Sequence, residues 1–320
     1  MNAARPAPRA YRLPPFVRGS IGWHALMAAG LVAAPAAWPW WLGGVAANQI
    51  AITGAGLWPR SDWLGPNWRR LPADPARAPS IALTFDDGPD PALTPYTLDR
   101  LDAAGLRATF FCIGRRVREH PALAREIVRR GHAVENHSDH HRPSFATSGV
   151  RGFVREIDAA QQTIADACGR APRFFRAPAG LRNPMLEPAL ARLGLRLAAW
   201  TRRGFDTLER DPARILRALT RGLAADDILL LHDGHCARDA DGRPVLHAVL
   251  PALLARIGDA GLHGIRLDEA LPDEQRPENL RLDDLRPEAL QPEDRRSDGQ
   301  RSDDPRADDA PPPPHLPRAS

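Results

Sequence analysis

Between residues 80 and 270 the chain alternates two patterns of apolar and polar positions. Short apolar, strand-like runs fall at 81–85, 108–113, 132–135, 173–176, 196–200, 227–231 and 264–267. Between them lie stretches with helical spacing, near 93–104, 120–130, 149–168, 184–193, 212–223 and 245–260. Punctuation supports these helices. Pro121 and Pro212 stand in first turns, where the missing N–H is not needed, and Gly105, Gly131, Gly194 and Gly261 follow last turns. Regular β-α alternation predicts a parallel sheet, open or closed, and about seven strands favour closure into a barrel.

The flanks follow other rules. Residues 1–18 are rich in Pro and Arg and read as a mobile N-terminus. From Gly19 to Pro59 there is no Asp, Glu, Lys or Arg, and His24 is the only ionisable side chain. About 20 apolar residues suffice to cross a bilayer as a helix, and this stretch is about twice that long. Pro35 and Pro39 break it near the middle, beside Trp38, Trp40 and Trp41, residues that favour a membrane interface. It reads as a single anchor over roughly 21–41 or as a helical hairpin. A cleaved signal peptide and a buried soluble helix pair fit less well. Arginines flank both ends (Arg5, Arg9, Arg12 and Arg18 before, Arg60, Arg69 and Arg70 after), which favours a hairpin with both ends on the cytoplasmic side of a bacterial inner membrane. Residues 60–79 read as a linker and 80–271 as the main folded domain. Beyond 272, Asp, Glu, Arg and Pro dominate without apolar period, ending in four prolines at 311–314, so 272–320 reads as a disordered tail with an unidentified partner.

Charge and cysteines exclude several function classes. The net charge is +4, and the basic residues are all arginine. No Arg-rich stripe with interleaved aromatics is present, which speaks against nucleic-acid binding. Cys112, Cys168 and Cys236 form no C-x-x-C pair, so they give neither a disulfide framework nor a thiolate zinc site.

Candidate chemistry gathers at the strand ends. The run Ile-Ala-Leu-Thr-Phe-Asp-Asp-Gly-Pro (81–89) ends an apolar strand on two adjacent carboxylates, Asp86 and Asp87, whose repulsion calls for an arginine or a metal ion. The run 135–141, Glu-Asn-His-Ser-Asp-His-His, places His137 and His141 four apart, which on a helical turn would put both rings on one face, as in many two-histidine metal sites. Arg176 ends the strand at 173–176 before Ala-Pro-Ala-Gly and could clamp a carboxylate. The strand at 227–231 runs into His232 and Asp233. In a parallel β/α fold such ends share one edge, where active sites form.

Across about 80–270 the order and spacing of Thr-Phe-Asp-Asp-Gly-Pro, His-Ser-x-x-His, Arg-x-Pro-x-Gly and Leu-x-His resemble the polysaccharide deacetylases with a nodulation-type deacetylase domain, carbohydrate esterase family 4. The resemblance implies a distorted (β/α) barrel and metal-dependent hydrolysis of an N-acetyl group on an amino sugar. It implies that Asp87, His137 and His141 bind zinc or a similar divalent ion. Asp86 would be the general base, and His232 the acid that protonates the leaving amine. Arg176 would tune Asp86, and Leu230, with Pro178 and Gly180, would shape the substrate pocket. One motif departs. Where the family has Asp-x-x-Asp-Trp, this chain has Arg203-Gly204-Phe205-Asp206-Thr207, so Asp206 would hold Arg176 while Arg203 and Thr207 replace the first aspartate and the tryptophan. Ala179 stands where an aromatic residue is frequent. The substrate expected is an N-acetylated glycan of the cell envelope, as polymer, oligosaccharide or lipid-linked saccharide. A deformylase of a lipid-linked amino sugar, a non-enzymatic carbohydrate binder and a small-amide hydrolase are the alternatives. The family's habit places the domain outside the cell, against the arginine flanks.

Overall fold

A computed structural model describes residues 5–272. The tail expected at 272–320 lies, apart from its first residue, outside the described residues. The chain begins with helices α1 (Pro15–Ala33) and α2 (Trp38–Leu57), joined by a short 3-10 turn at Pro35–Ala37. Then come β1 (Ser80–Asp86), α3 (Thr94–Ala103), β2 (Ala108–Cys112), α4 (Gly114–Glu119), α5 (Pro121–Arg129), β3 (Ala133–Asn136) and α6 (Val150–Cys168). The rest is β4 (Phe174–Phe175), α7 (Leu186–Arg192), β5 (Arg196–Leu197), β6 (Arg202–Arg203), α8 (Pro212–Thr220), β7 (Ile228–His232), α9 (Leu246–Asp259) and β8 (His263–Gly264).

The strands run parallel in the order β5-β4-β3-β2-β1-β7-β6, with β8 pairing to the start of β1. This is the distorted barrel expected, with a specific distortion. Its two edge strands, β5 and β6, are consecutive in the chain, so residues 198–201 carry the backbone from one edge to the other. Ala198 N donates to Phe175 O (2.9 Å), and Thr201 N donates to Ile228 O (2.8 Å). Of the run at 196–200, expected as one strand, only Arg196–Leu197 is strand, because the chain then leaves β4 and joins β7 from Thr201 onward.

Period-two alternation sorts the side chains. In β1, Ile81, Leu83 and Phe85 face the helices and belong to the largest apolar cluster, with Leu98, Leu101, Leu250 and Leu253. Ala82 faces the barrel interior with Phe111, Phe174 and Trp200, and the period carries Thr84 and Asp86 to the same inner face. In β7, Leu229 and Leu231 go outward, while Ile228 and Leu230 go inward. Register sets Thr84 against Leu230 and Asp86 against His232.

α1 and α2 form an antiparallel hairpin. Trp23 Nε1 donates to Gly44 O (2.9 Å), and Asn48 Nδ2 donates to Ser20 Oγ (2.6 Å) and lies 3.1 Å from His24 Nδ1. Gly44 and Gly30 allow the close approach, since a Cβ on either would strike Met27 or Trp41. Of the two helices, α1 alone is long and apolar enough to cross a membrane by length and composition. Many large apolar side chains of the hairpin face outward, Val32 at 85% and Trp40 at 81% exposure.

Two expectations about the flanks are corrected. Residues 5–14 are tied down: Arg9 N donates to Ala191 O (2.8 Å), and its guanidinium reaches Leu195 O (2.6 Å) and Glu187 (3.0 Å). The stretch 60–79 is woven into the barrel: Trp68 N donates to Leu197 O, Ala199 N donates to Trp68 O, and Leu71 N donates to Asp226 O. The second segment supplies, through Trp68, a donor for the Leu197 carbonyl that the short edge strand β5 leaves unpaired.

Candidate metal-centred active site

Asp86 is the last residue of β1, and Asp87 turns the chain with φ 71°. Both carboxylates are buried. Asp86 Oδ1 receives Arg176 Nη1 at 2.7 Å. Arg176 is itself buried, and every arm is occupied. Nη1 also donates to Thr84 Oγ1 (2.8 Å), Nε to Ala198 O (3.1 Å) and Nη2 to Ala199 O (2.8 Å), while the guanidinium lies 4.1 Å from the centre of the Phe111 ring. Burial pulls the Arg176 pKa down, and Asp86 opposes it.

His137 and His141 sit on the loop after β3, not on a helical turn. Ser138 and His141 both adopt positive φ (65° and 53°). The loop is built from short polar links: Asn136 Oδ1 accepts Ser138 N, and Ser138 Oγ accepts His141 N, both at 2.9 Å. From α4, an element not expected from the sequence, Arg118 grips Asp139 through both nitrogens (2.6 and 3.0 Å). The two imidazole rings come within 4.9 Å, centre to centre. Both Nε2 atoms lie 3.4 Å from Asp87 Oδ1.

This trio offers three ligand atoms within 4.8 Å of one another. Asp87 Oδ1 is buried with no hydrogen-bond partner, an orphan that a cation would satisfy. His137 Nδ1 must donate to Arg176 O (2.9 Å), because a carbonyl only accepts, which leaves the Nε2 lone pair free for a metal. One carboxylate and two imidazoles are a borderline donor set suited to zinc or a similar divalent ion. Burial opposes the Asp87 charge, yet the neighbouring imidazoles of His137 and His235 hold its carboxyl well below the usual range. Burial likewise opposes charge on His137, but Asp86 and Asp87 raise its pKa. His141 is lowered by burial and by His137.

Across the barrel mouth, His232 Nδ1 lies 2.9 Å from Asp206 Oδ1, and His232 N donates to Asp206 Oδ2 at 2.7 Å. Asp206 therefore holds His232 and not Arg176, correcting the expected pairing. Arg176 already spends its donors on Asp86, Thr84 and two carbonyls, and Asp206 lies across the mouth beside β7. Burial works against the imidazolium, but Asp206, with Asp86 and Asp87 behind it, pushes His232 up to about 9.

A cavity of about 140 Å³ joins these groups, with Asp86, Asp87, His137, His141 and His232 on its wall. Leu230, Gly180 and Ala179 line it too, together with Trp200, Arg203 and Thr207. Pro178 is buried in the adjoining turn and does not line it. Sequence reasoning missed Thr84, although a lone polar residue at an inward position of an apolar strand was a usable signal. It also missed His235, whose Nδ1 lies 3.6 Å from Asp87 Oδ2 and for which no spacing gave a cue.

A candidate metal seat of one carboxylate and two imidazoles, with a second carboxylate and a third histidine beside it at the C-terminal mouth of a β/α barrel, has the make-up of a hydrolase-type centre. Residues 73–198 match the family model described as polysaccharide deacetylase. A chitooligosaccharide deacetylase from Sinorhizobium fredii is 35% identical over 200 residues, 60% of this chain and 92% of that protein. A peptidoglycan-N-acetylglucosamine deacetylase from Bacillus cereus is 30% identical over 193 residues, 60% of this chain and 87% of that protein. Among solved structures, a family 4 carbohydrate esterase from Streptomyces lividans in complex with acetate superposes with a TM-score of 0.53 at 33% identity, covering 59% of this chain and 93% of that one. The chain belongs to the polysaccharide deacetylase family.

Proposed function

We propose that the protein removes N-acetyl groups from amino sugars of a cell-envelope glycan, by metal-assisted hydrolysis at this cavity. The observation that carries the reading is the convergence of three units on one small space: the Asp87–His137–His141 seat, the Asp86–Arg176 pair and the His232–Asp206 pair. A divalent ion, zinc or similar, held by Asp87, His137 and His141 would polarise the amide carbonyl and acidify water. Asp86, fixed in place by Arg176, takes a proton from the attacking water. His232, protonated near neutral pH and held by Asp206, gives its proton to the amine nitrogen as the carbon–nitrogen bond breaks. The products are a carboxylate and a free amine. Leu230 and Trp200 would pack on the acyl methyl.

We further read 80–271 as the catalytic unit and 19–59 as its attachment to the bacterial inner membrane. The length and apolarity of α1 and the outward-facing side chains of the hairpin support this.

The test is acetate and formate release from chitotetraose and from a bacterial glycan extract by the full chain, with and without chelator, beside Asp86→Asn. We expect acetate release that the chelator abolishes and zinc restores, and that Asp86→Asn lowers by roughly 10²–10⁴-fold. Formate in place of acetate would identify a deformylase. Metal-independent release, or an unaffected Asp86→Asn, would overturn the mechanism.

A further inference from the structure

A groove of about 550 Å³ runs from the active-site cavity to the end of α2. The two share Ala179, Trp200 and Arg203. At its far end lie Leu57 and Trp58, where the hairpin meets the domain. Two arginines flank it without a carboxylate partner among the described residues. Arg60 makes one hydrogen bond, to Thr201 O (3.1 Å). Arg203 stands over Trp200 and Phe205 (5.4 and 4.8 Å to the ring centres), with its Nε buried and unpartnered. Their neighbours differ: Arg69 pairs with Asp62, and Arg70 and Arg202 both pair with Asp227. Arg116, Arg173, Arg182 and Arg266 also carry a buried nitrogen without a partner, but of these five only Arg203 lines the catalytic cavity, where an anion of the substrate could reach it.

What lies on either side narrows the anion. Toward the barrel is the amino-sugar site. Toward the hairpin the wall turns apolar through Leu181, Trp58 and Leu57, and the groove ends where α2 emerges. A molecule that fills this path carries a sugar, then a negative charge, then a hydrocarbon chain. Resting on the deacetylase reading above, we propose that the substrate is an N-acylated amino sugar joined through phosphate to a lipid, with Arg203 and Arg60 binding the phosphate and the groove guiding the chain toward the membrane. Arginine suits a phosphate because its planar fork donates two parallel hydrogen bonds. The α1–α2 hairpin then places the groove at the level of the lipid headgroups.

The experiment compares four probes with the full chain in lipid nanodiscs: N-acetylglucosamine linked through phosphate to a polyprenyl chain, N-acetylglucosamine 1-phosphate, octyl N-acetylglucosaminide and chitotetraose. The polyprenyl phosphate probe is expected to give the highest kcat/KM. Arg203→Gln and Arg60→Gln should lower it about tenfold more than they lower kcat/KM on the neutral octyl glycoside, and Arg203→Lys should recover part of the loss. Equal losses on charged and neutral probes would make both arginines structural and overturn the proposal, as would a wild-type chain that shows no preference for phosphate. A preference equally strong for the soluble sugar phosphate would overturn the lipid half. Binding of the polyprenyl phosphate probe to Asp86→Asn protein separates this idea from the hydrolase reading. Binding that Arg203→Gln weakens, with no turnover of any probe by wild type, sinks the hydrolase and keeps the groove. Turnover without Arg203-dependent binding does the reverse.

Discussion

His232 shows how one neighbour sets a residue's task. Unpaired, a buried imidazole is pushed toward neutrality, and Asp206 reverses that. Asp206→Asn should keep an acceptor for His232 Nδ1 but remove the charge, so the His232 pKa falls from about 9 toward the ordinary value or below it. The active form is the protonated one, so activity is lost as pH rises through that pKa, and a pH–kcat profile should show the alkaline limb moving to lower pH. An unmoved limb would remove His232 as the acid. Glu135 gives a second titration, away from the chemistry. Burial, with Asp268 nearby, raises its pKa to about 8, although the backbone N–H groups of Phe174 and Arg173 (2.7 Å each) favour its charge. The folded state thus holds a proton that the unfolded state loses from about pH 4.5 upward, so this contribution to stability is full at low pH and declines until about pH 8. Glu135→Gln keeps the acceptor and removes the titration. Urea melts should show it gaining most over wild type at pH 8 and least at pH 5. At this scale the gathering of Asp86, Asp87, His137 and His141 could be read from residue types at strand ends. The partner of Asp206 could not, because sequence spacing gives no distance across a barrel mouth.

Among elements, β1 and β7 were the most legible. Their apolar runs end in charge, and period-two alternation assigns Asp86 and His232 to the same inner face. The loop 137–141 was legible in content and not in shape. Its histidines meet through two left-handed residues and an Asn136–Ser138 relay, which a helical four-residue spacing imitates. The end of β5 after Leu197 was hidden as well, since nothing local says that the apolar run must leave one edge there and cross to the other. The turn at Pro178–Gly180 packs closely against Trp200 at this crossing. Gly180 adopts φ 74°, and a Cβ there would sit 2.6 Å from Pro59 and 2.7 Å from Trp200. Gly180→Ala should cost about 1–3 kcal/mol from backbone strain alone and displace Trp200 from the cavity wall. Thermal melting and kcat/KM on chitotetraose should both fall; a silent substitution would show that the turn relaxes freely.

For the whole molecule, β-α alternation outlined the barrel and the uncharged stretch 19–59 left a single anchor or a hairpin open, while the docking between barrel and hairpin came only from the structure. Arg182 N donates to Gly56 O (3.2 Å), and Val17, Ala55 and Leu64 form a small cluster of their own. If the hairpin is membrane-embedded, the full chain should stay in the pellet after an alkaline carbonate wash. Leu26→Arg with Ile50→Arg should release it, since each arginine costs about 2.5–3.5 kcal/mol at mid-bilayer. A wild-type chain recovered in the supernatant would remove the membrane reading. Arg176 has a consequence of another kind. Its guanidinium fastens Asp86 on β1 and also the carbonyls of Ala198 and Ala199, where the backbone crosses from one edge strand to the other. The same side chain serves architecture and chemistry, so selection for a closed barrel would retain it after catalysis had been abandoned. A degenerate descendant of this protein would shed Asp86 or a metal ligand long before Arg176, and so the arginine is a poor marker of a living enzyme, while the aspartate beside it is a good one.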